Sequence, residues 1–344
     1  MRKSTRYSLL LTLALLAALA IALFLRKQAP PEAARLLPES DAIVYLNLKP
    51  LRLATHFDKS PVTRTPDYQA FVNATGIVFE RDLDTAAFAL HRMDDPNGPN
   101  GPVAYSEVFE GRFDGARLAR YLNQIATERE SYAGHTIYTI PVEFAVTQPA
   151  PGKPAAAHPI RSLRVAQLGY DSIAASNMPT SEQIHSILDR FRASASPFSG
   201  SSLLEARYRD VPLLSSAWAI GHIGLPFSES GHITAFGLQL PMPEDTTFVA
   251  SARYTGQLHL RIDEILLTEA DAARSAESLS SLIEIFRSFQ RLQQNARAGQ
   301  LSADPNDAAL HHLIDSIKVE QQKDRAVLTA TVPLDLLKQL TTSH

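Results

Sequence analysis

The chain has no cysteine among its 344 residues. It therefore forms no disulfide bond, and a lipid-modified N-terminal cysteine is excluded as its means of membrane attachment. It also has no Gly-x-Ser-x-Gly elbow, no Gly-x-Gly-x-x-Gly motif and no phosphate loop with lysine. These absences remove the usual sequence signatures of serine hydrolases and of nucleotide-binding proteins.

A basic surface is also missing from most of the chain. Five of the 33 Lys and Arg residues lie in the segment 1–27, which has no acidic residue. The remainder carries 28 basic against 36 acidic side chains, a net charge near −8. A nucleic-acid partner requires a basic face, so this class of partner is not expected. Anionic lipid would repel such a region as a whole, so attachment to a membrane is expected to depend on a helix.

One apolar run is long enough to span a membrane as a helix. As a helix, the run 8–25 spans about 27 Å, close to the thickness of a hydrocarbon core. Three basic residues precede it and two follow it, which predicts a cytoplasmic N-terminus and an exported C-terminal region. The flanking basic residues are Arg2, Lys3, Arg6, Arg26 and Lys27.

The alternative for this run is a cleaved signal peptide. The small residues of Ala18-Leu19-Ala20 lie inside the run, and the exit at 26–30 carries charge and proline where cleavage needs small side chains. An uncleaved signal anchor is therefore preferred. The protein is predicted to be a single-pass membrane protein whose large region is extracytoplasmic, in the periplasm.

The rest of the chain is predicted to contain a linker at 28–35 and two units, 36–200 and 201–344. The Ser- and Gly-rich stretch from Ser194 to Ser202 marks the boundary between them. Each unit has several strands, then a helix, then further strands. Asp114-Gly115-Ala116-Arg117 and Asp271-Ala272-Ala273-Arg274 occupy similar strand-to-helix junctions, so the second unit is interpreted as a candidate duplicate of the first.

Alternating apolar residues predict antiparallel strands, and apolar residues at helical spacing predict the helices. The fold class is therefore α+β, with antiparallel sheets and helices packed on one face. Trp218, the only tryptophan, is expected in the core. Strands are predicted at 42–48, 85–91, 103–109, 136–144, 163–169, 172–176, 216–222, 233–240, 247–254, 257–267, 317–320 and 326–332, and helices near 67–74, from Asp114, from a capping box at Thr180 and Gln183, at 270–296 after Thr268 and Asp271, and at 334–340.

Several clusters hold residue types that catalysis or metal binding uses, and each has a plainer structural explanation. The serine cluster fits a polar turn, the histidines fit solvated surfaces or cross-strand pairs, and the carboxylates fit turns and strands. No catalytic, cofactor-binding or metal-binding residue is assigned, and no cofactor is expected. The clusters are Ser228 to His232, His311 with His312 and Asp315, His222 facing His232 across a hairpin, His91 with Asp94 and Asp95, Asp82 with Asp84, and Asp263 with Glu264, the last two residues facing opposite ways.

Three stretches carry a resemblance to a known group of proteins. They are the strand entry Leu37-Pro38-Glu39-Ser40-Asp41-Ala42, the stretch from Thr75 to Asp84, and Gly111-Arg112-Phe113-Asp114 before a helix. Together with the anchor, they resemble uncharacterised bacterial membrane-anchored proteins with a large extracytoplasmic α+β region. This resemblance implies a topology and a fold, and it implies no activity.

The functional hypothesis is a non-enzymatic binding or envelope-assembly module, attached to the membrane by its N-terminal helix and able to engage an envelope protein or a ligand. The alternative is a membrane-anchored hydrolase whose site is built from residues distant in sequence. A deep pocket that brought His222 or His232 next to a serine or several carboxylates would favour the hydrolase.

Overall fold

The computed structural model describes residues 29–59, 64–96, 98, 100–143, 160–193, 199–222, 232–235, 238–241, 246–297 and 312–333. They form a 12-stranded antiparallel sheet with helices, which confirms the α+β class. The predicted anchor at 8–25 and the predicted C-terminal helix at 334–340 lie outside the described residues. No helix within the described ranges is long and apolar enough to cross a membrane.

The large sheet runs through both predicted units without a break. Its strand order is β13-β14-β12-β11-β8-β1-β2-β3-β7-β6-β5-β4, and β9 and β10 form a separate hairpin. The strands are β1 Ala42–Asn47, β2 Leu83–Arg92, β3 Val103–Gly111, β4 Glu128–Tyr132, β5 His135–Glu143, β6 Ile160–Gln167, β7 Ser172–Ser176, β8 Ala217–His222, β9 His232–Ala235, β10 Leu238–Pro241, β11 Thr247–Tyr254, β12 Leu258–Ile265, β13 Lys318–Gln322 and β14 Arg325–Val332.

Most helices begin at a polar residue that caps the first turn. Asp114 accepts a hydrogen bond from the backbone N–H of Arg117, and Thr268 accepts one from Asp271. These caps confirm two predicted helix starts. The helices are α1 Glu32–Leu36, α2 Leu48–Thr55, α3 Pro66–Thr75, α4 Phe79–Asp82, α5 Gly115–Ile125, α6 Glu182–Arg192, α7 Ser202–Arg207 and α8 Glu269–Arg297, with short 3₁₀ turns at Phe57–Lys59 and Tyr208–Asp210.

Helices cover both faces of the sheet, so the prediction of helices on one face was wrong. On β5, Ile137 belongs to one buried cluster and Tyr138 to another, and Val165 and Ala166 divide in the same way on β6. Because neighbouring strand residues point to opposite faces, each face must be covered. We call the face covered by α1, α6 and α7 the α1 face, and the face covered by α5 the α5 face.

Helix α1 corrects the predicted linker at 28–35. Ala33 and Ala34 are fully buried in the cluster on the α1 face, together with Leu37. The run of small side chains lets this short helix lie close against the sheet. Part of the predicted linker therefore belongs to the core, and the described domain begins only a few residues beyond the predicted anchor.

The two predicted units meet where β1 pairs with β8, at the centre of the sheet. Trp218 on β8 is opposite Tyr45 on β1, and their rings stack with centroids 5.4 Å apart. Trp218 is 3% exposed, which confirms its predicted place in the core. The seam is thus a continuous part of the hydrophobic core.

Several local predictions were wrong for identifiable reasons. The first strand was predicted to continue to Leu48 and to be ended by Pro50, but it ends at Asn47; Leu48 already begins α2, and Pro50 lies in the first turn of that helix, where no intrahelical N–H bond is lost. Helix α6 has Ser181 at its N-cap, without a side-chain cap bond, so the capping box at Thr180 and Gln183 does not form. The single strand at 233–240 is a hairpin of β9 and β10.

Strand β4 was not predicted at all. Its sequence, Glu-Arg-Glu-Ser-Tyr, has no apolar alternation, and its first four residues are exposed. Its charged side chains lie at an edge of the sheet, where they oppose pairing with another chain.

Candidate functional site

A cavity of about 420 Å³ opens on the α1 face, over strands β11, β12, β14 and β13. Val249 on β11 belongs to the buried cluster of the α1 face, and Ser251, two residues further along the strand, lines the cavity. The described contacts of α1, α6 and α7 lie over β1 to β3, β6, β7 and β8, so these helices leave this part of the sheet accessible. Pro212 and Ser215, from the loop before β8, complete the wall.

The strand register sets the lining in two rows. Arg253, His259 and Thr331 are opposite one another on β11, β12 and β14. The second row lies two residues further along each strand, on the same face. It consists of Ser251, Arg261, Thr329 and Lys318. Strands lie about 4.8 Å apart, so neighbouring members of each row project side by side from the same face, and all of them line this one cavity.

Two cations of this cavity have no partner in the described part of the chain. Arg253 and Lys318 are exposed, and neither side chain makes a hydrogen bond or ion pair there. In a chain with net negative charge, unpaired cations beside a cavity form a local positive field. This field favours an anionic ligand.

Arg261 is held in place between these two cations. Its Nε lies 2.8 Å from Oδ1 of Asp263, and its Nη2 donates to Gln322 at 3.2 Å. Nη2 also donates to Oδ2 of Asp263 at 3.2 Å. A guanidinium has five N–H donors, so donors remain for a ligand beside those that Asp263 and Gln322 accept. The buried Asp263 therefore acts as the residue that orients Arg261.

A second arginine shares Asp263 from the other side. Arg325 lies 3.6 Å from the Asp263 carboxylate and 2.6 Å from that of Asp210. Burial by itself opposes the charge of Arg325, but the hydrogen bond and charge of Asp210, with the charges of Asp263 and Asp324, outweigh it and raise its pKa. Asp263 is thus neutralised by two arginines, which leaves the net charge of the cavity positive.

Hydroxyl groups complete the lining. Nδ1 of His259 is 3.3 Å from the Thr331 hydroxyl, and Ser316 accepts the backbone N–H of Thr331 at 2.9 Å. Hydroxyls and guanidinium N–H groups are the donors that phosphate, sulfate and carboxylate groups accept. The arrangement can bind an anion, and the described lining has no carboxylate pair for acid–base catalysis.

The carboxylate pairs predicted from sequence form separate ion pairs. Asp82 pairs with Arg81 at 2.7 Å, and Asp84 pairs with Arg52 at 2.9 Å. Burial would raise the pKa of each carboxyl, but these cations outweigh it and hold both pKa values below the usual range. Both are acceptors in a structural network at the start of β2.

Asp263 and Glu264 face opposite ways, as predicted. Asp263 lies on the α1 face with Arg261, while Glu264 accepts a hydrogen bond from Ser275 of α8 on the other face. Both residues are almost fully buried. Glu264 therefore fixes α8 to the sheet, and only Asp263 belongs to the candidate site.

The predicted histidine clusters are not brought together. β8, which ends at His222, pairs with β1 and β11, and β9, which starts at His232, pairs with β10, so the expected hairpin between them was wrong. His312 and Asp315 are exposed, whereas His311 and residues 228–231 lie outside the described residues. Groups of three or more potential metal ligands are absent from the described ranges.

His91 turns inward, away from Asp94 and Asp95. Its Nε2 lies 2.9 Å from the Ser106 hydroxyl, which lies 3.1 Å from that of Ser176. Burial lowers the pKa of His91 despite the charge of Asp41. Ser106 and Ser176 are fully buried, so this network satisfies polar groups inside the core without an opening for a substrate.

Sequence reasoning missed the basic cavity. The visible signal was the alternation of Gln257, His259 and Arg261 with apolar residues along β12. This pattern correctly predicted a polar side of the strand. The lining residues on β11, β13 and β14 come from other parts of the chain. The register that places them beside those of β12 could not be predicted from sequence.

No protein-family model and no curated protein matches this chain. Among solved structures, it is similar to crystal form III of TP0453, with 10% identity and a TM-score of 0.45, over 92% of this chain and 99% of that chain. Crystal form I of TP0453 gives 9% identity and a TM-score of 0.43, over 92% and 98%.

Proposed function

We propose that the protein is a membrane-anchored, extracytoplasmic, non-enzymatic binding module that holds an anionic ligand in the cavity on the α1 face. One observation carries the ligand class: among the described residues, Arg253 and Lys318 have no ionic partner, and they lie on either side of Arg261, which Asp263 orients. A ligand with a phosphate, sulfate or carboxylate group would supply the missing charge.

The predicted location supports an envelope role. The run 8–25 predicts an N-terminal anchor, and the folded domain begins a few residues after it. A domain on so short a connection stays close to the membrane surface. The module would therefore meet ligands at that surface, including those that an envelope protein partner presents.

The hydrolase alternative has less support in the described residues. Its best histidine–hydroxyl contact, between His91 and Ser106, is buried. His259 and Thr331 are in contact in the cavity, but the lining contains no carboxylate that would orient the imidazole as a general base. Binding without turnover fits this chemistry better.

The test is calorimetric titration of the full chain, in detergent or nanodiscs, with glycerol phosphate and with glycerol. We expect binding of the phosphate ester alone, and at least tenfold weaker binding after the double substitution Arg253→Ala and Lys318→Ala, because charge-assisted hydrogen bonds contribute about 1.5–3 kcal/mol each. Higher salt should weaken binding as well.

The control is Arg120→Ala combined with Lys323→Ala, which removes the same charge from exposed positions outside the cavity lining. This variant should bind like the original chain. Equal losses in both double variants would show a general charge effect and would refute the cavity as the site. Release of phosphate during the titration would favour the hydrolase instead.

We also propose that the two units are structural duplicates. Outward from the seam, the sheet order is β1-β2-β3-β7-β6-β5-β4 on one side and β8-β11-β12-β14-β13 on the other, and the first five strands of each side follow the same order along the chain. Helix α5 follows β3, and α8 follows β12. The four-residue sequence match does not contribute, because Asp114 is the N-cap of α5 whereas Asp271 lies three residues beyond the capping Thr268.

A further inference from the structure

Exposed apolar side chains collect at one end of the sheet. Five of the nine exposed large hydrophobic residues in the described ranges lie there, and we call these five the apolar rim. Single exposed apolar residues are ordinary, but a group at one end of a molecule marks a surface that meets a protein or a membrane. The rim consists of Leu53, Phe79, Tyr170, Leu213 and Leu214, with exposed fractions of 76, 46, 95, 55 and 78%.

Backbone contacts place these residues at the same end. Leu53 is in α2, which follows β1 directly, and Phe79 is in α4, which leads into β2. The turn of Tyr170 is tied to the end of β3 by the hydrogen bond from Gly111 N–H to the carbonyl of Asp171. The loop of Leu213 and Leu214 meets the end of β1 through the hydrogen bond from Asn47 N–H to Ser216. The strands involved are neighbours.

The described chain enters at this same end. Helix α1 contacts β2 and β3, and its first turn, at Glu32 and Ala33, lies close enough to Glu110, near the end of β3, to affect the pKa of that carboxyl. The residues that precede α1 are those that connect it to the predicted anchor. A bilayer that holds segment 8–25 therefore lies on the side of the apolar rim.

The loop before β8 adds a second observation. Leu214 has a φ of 66°, a left-handed conformation that a leucine side chain disfavours, and the side chain is 78% exposed. Its neighbours Pro212 and Ser215 line the basic cavity. The exposed side chain of Leu214 makes no buried contact within the described fold that would offset its disfavoured backbone conformation. Its placement therefore indicates a contact outside the domain.

From these observations we infer that the apolar rim lies in the interfacial region of the anchoring bilayer, so that this end of the sheet faces the membrane. The inference rests on the anchor in the proposed function and is independent of the anionic ligand. The rim is apolar, so the net negative charge of the domain does not prevent its contact with lipid. Contact would also bring the mouth of the basic cavity close to the lipid headgroups.

The absence of cysteine makes the test direct. Single substitutions Leu53→Cys and Leu214→Cys, in the full chain in phosphatidylcholine nanodiscs, would each carry one environment-sensitive fluorophore. The matched control is Leu267→Cys, which is 86% exposed but follows β12 at the opposite end of the sheet. We expect blue-shifted emission at 53 and 214, and at least twofold stronger quenching by nitroxide-labelled lipids than at 267.

Water-like emission at all three positions, with equal quenching, would overturn the inference. A blue shift at 53 and 214 without lipid quenching would show a protein contact instead, and would also overturn it. Failure of the chain to enter nanodiscs would contradict the anchor, and with it both the membrane part of the proposed function and this inference. An absence of phosphate binding would contradict the anionic ligand proposed for the cavity, and it would leave the membrane contact of the apolar rim unaffected.

Discussion

At the scale of single residues, Glu107 is the least expected side chain in the sheet. It lies on the α5 face of β3, between Phe88 on β2 and Ala175 on β7. Burial raises its pKa to about 7, and no described cation compensates. The burial of Glu107 could not be predicted from sequence, because a glutamate in an alternating strand would normally be assigned to the solvent side.

The substitution Glu107→Gln should increase stability in a pH-dependent way. The carboxyl has a pKa near 4.5 in the unfolded chain and about 7 in the folded one, so the folded state is penalised as pH rises from 4.5 to 7. Chemical denaturation should therefore show no gain at pH 4.5 and a gain of up to about 3 kcal/mol at pH 8. Glu128→Gln, at an exposed position of β4, is the control, and an equal gain at both pH values would contradict the argument.

At the scale of elements, the alternation of apolar residues, their helical spacing and the capping residues predicted those strands and helices that bury one face. β7 and β11 have the predicted bounds, and α5 begins after its predicted cap. α1 and β4 were missed for opposite reasons. The first is too short and too small in its side chains to show a helical period, and the second is a charged edge strand whose only support is its pairing with β5.

Ala33→Leu tests whether α1 is part of the core. The fully buried position leaves no space for three further carbon atoms, so the free energy of unfolding should fall by about 1–3 kcal/mol. Ala70→Leu, at an exposed position of α3, makes the same chemical change and should alter stability by less than about 0.5 kcal/mol. Equal stability of the two variants in urea denaturation would restore the linker interpretation.

At the scale of the whole molecule, the main fact is that one sheet joins the two predicted units. The pairing of β1 with β8 brings Ile43 opposite Ile220 and continues the buried cluster across the seam. Units that share a core in this way are expected to lose their structure together, unlike two domains on a flexible connection.

Gly221→Ala should weaken that seam. A Cβ at this position would lie 2.5 Å from the Cβ of Ala42 on the neighbouring strand, so the two strands must separate slightly. We expect a loss of about 1–3 kcal/mol and faster hydrogen exchange in peptides from both units, β5 and β12 included. Faster exchange in only one unit would show that the sheet is not cooperative across the seam.

The sequence by itself determined the class of fold, most strand positions, the two capped helix starts and the expectation of an anchor, because these depend on local alternation, capping residues and apolar length. Only the tertiary structure decided that both faces are covered, that α1 is core, and that Arg253, Arg261 and Lys318 converge. Those features depend on which strands become neighbours and in what register. Neighbours from distant parts of the chain meet only when the sheet forms.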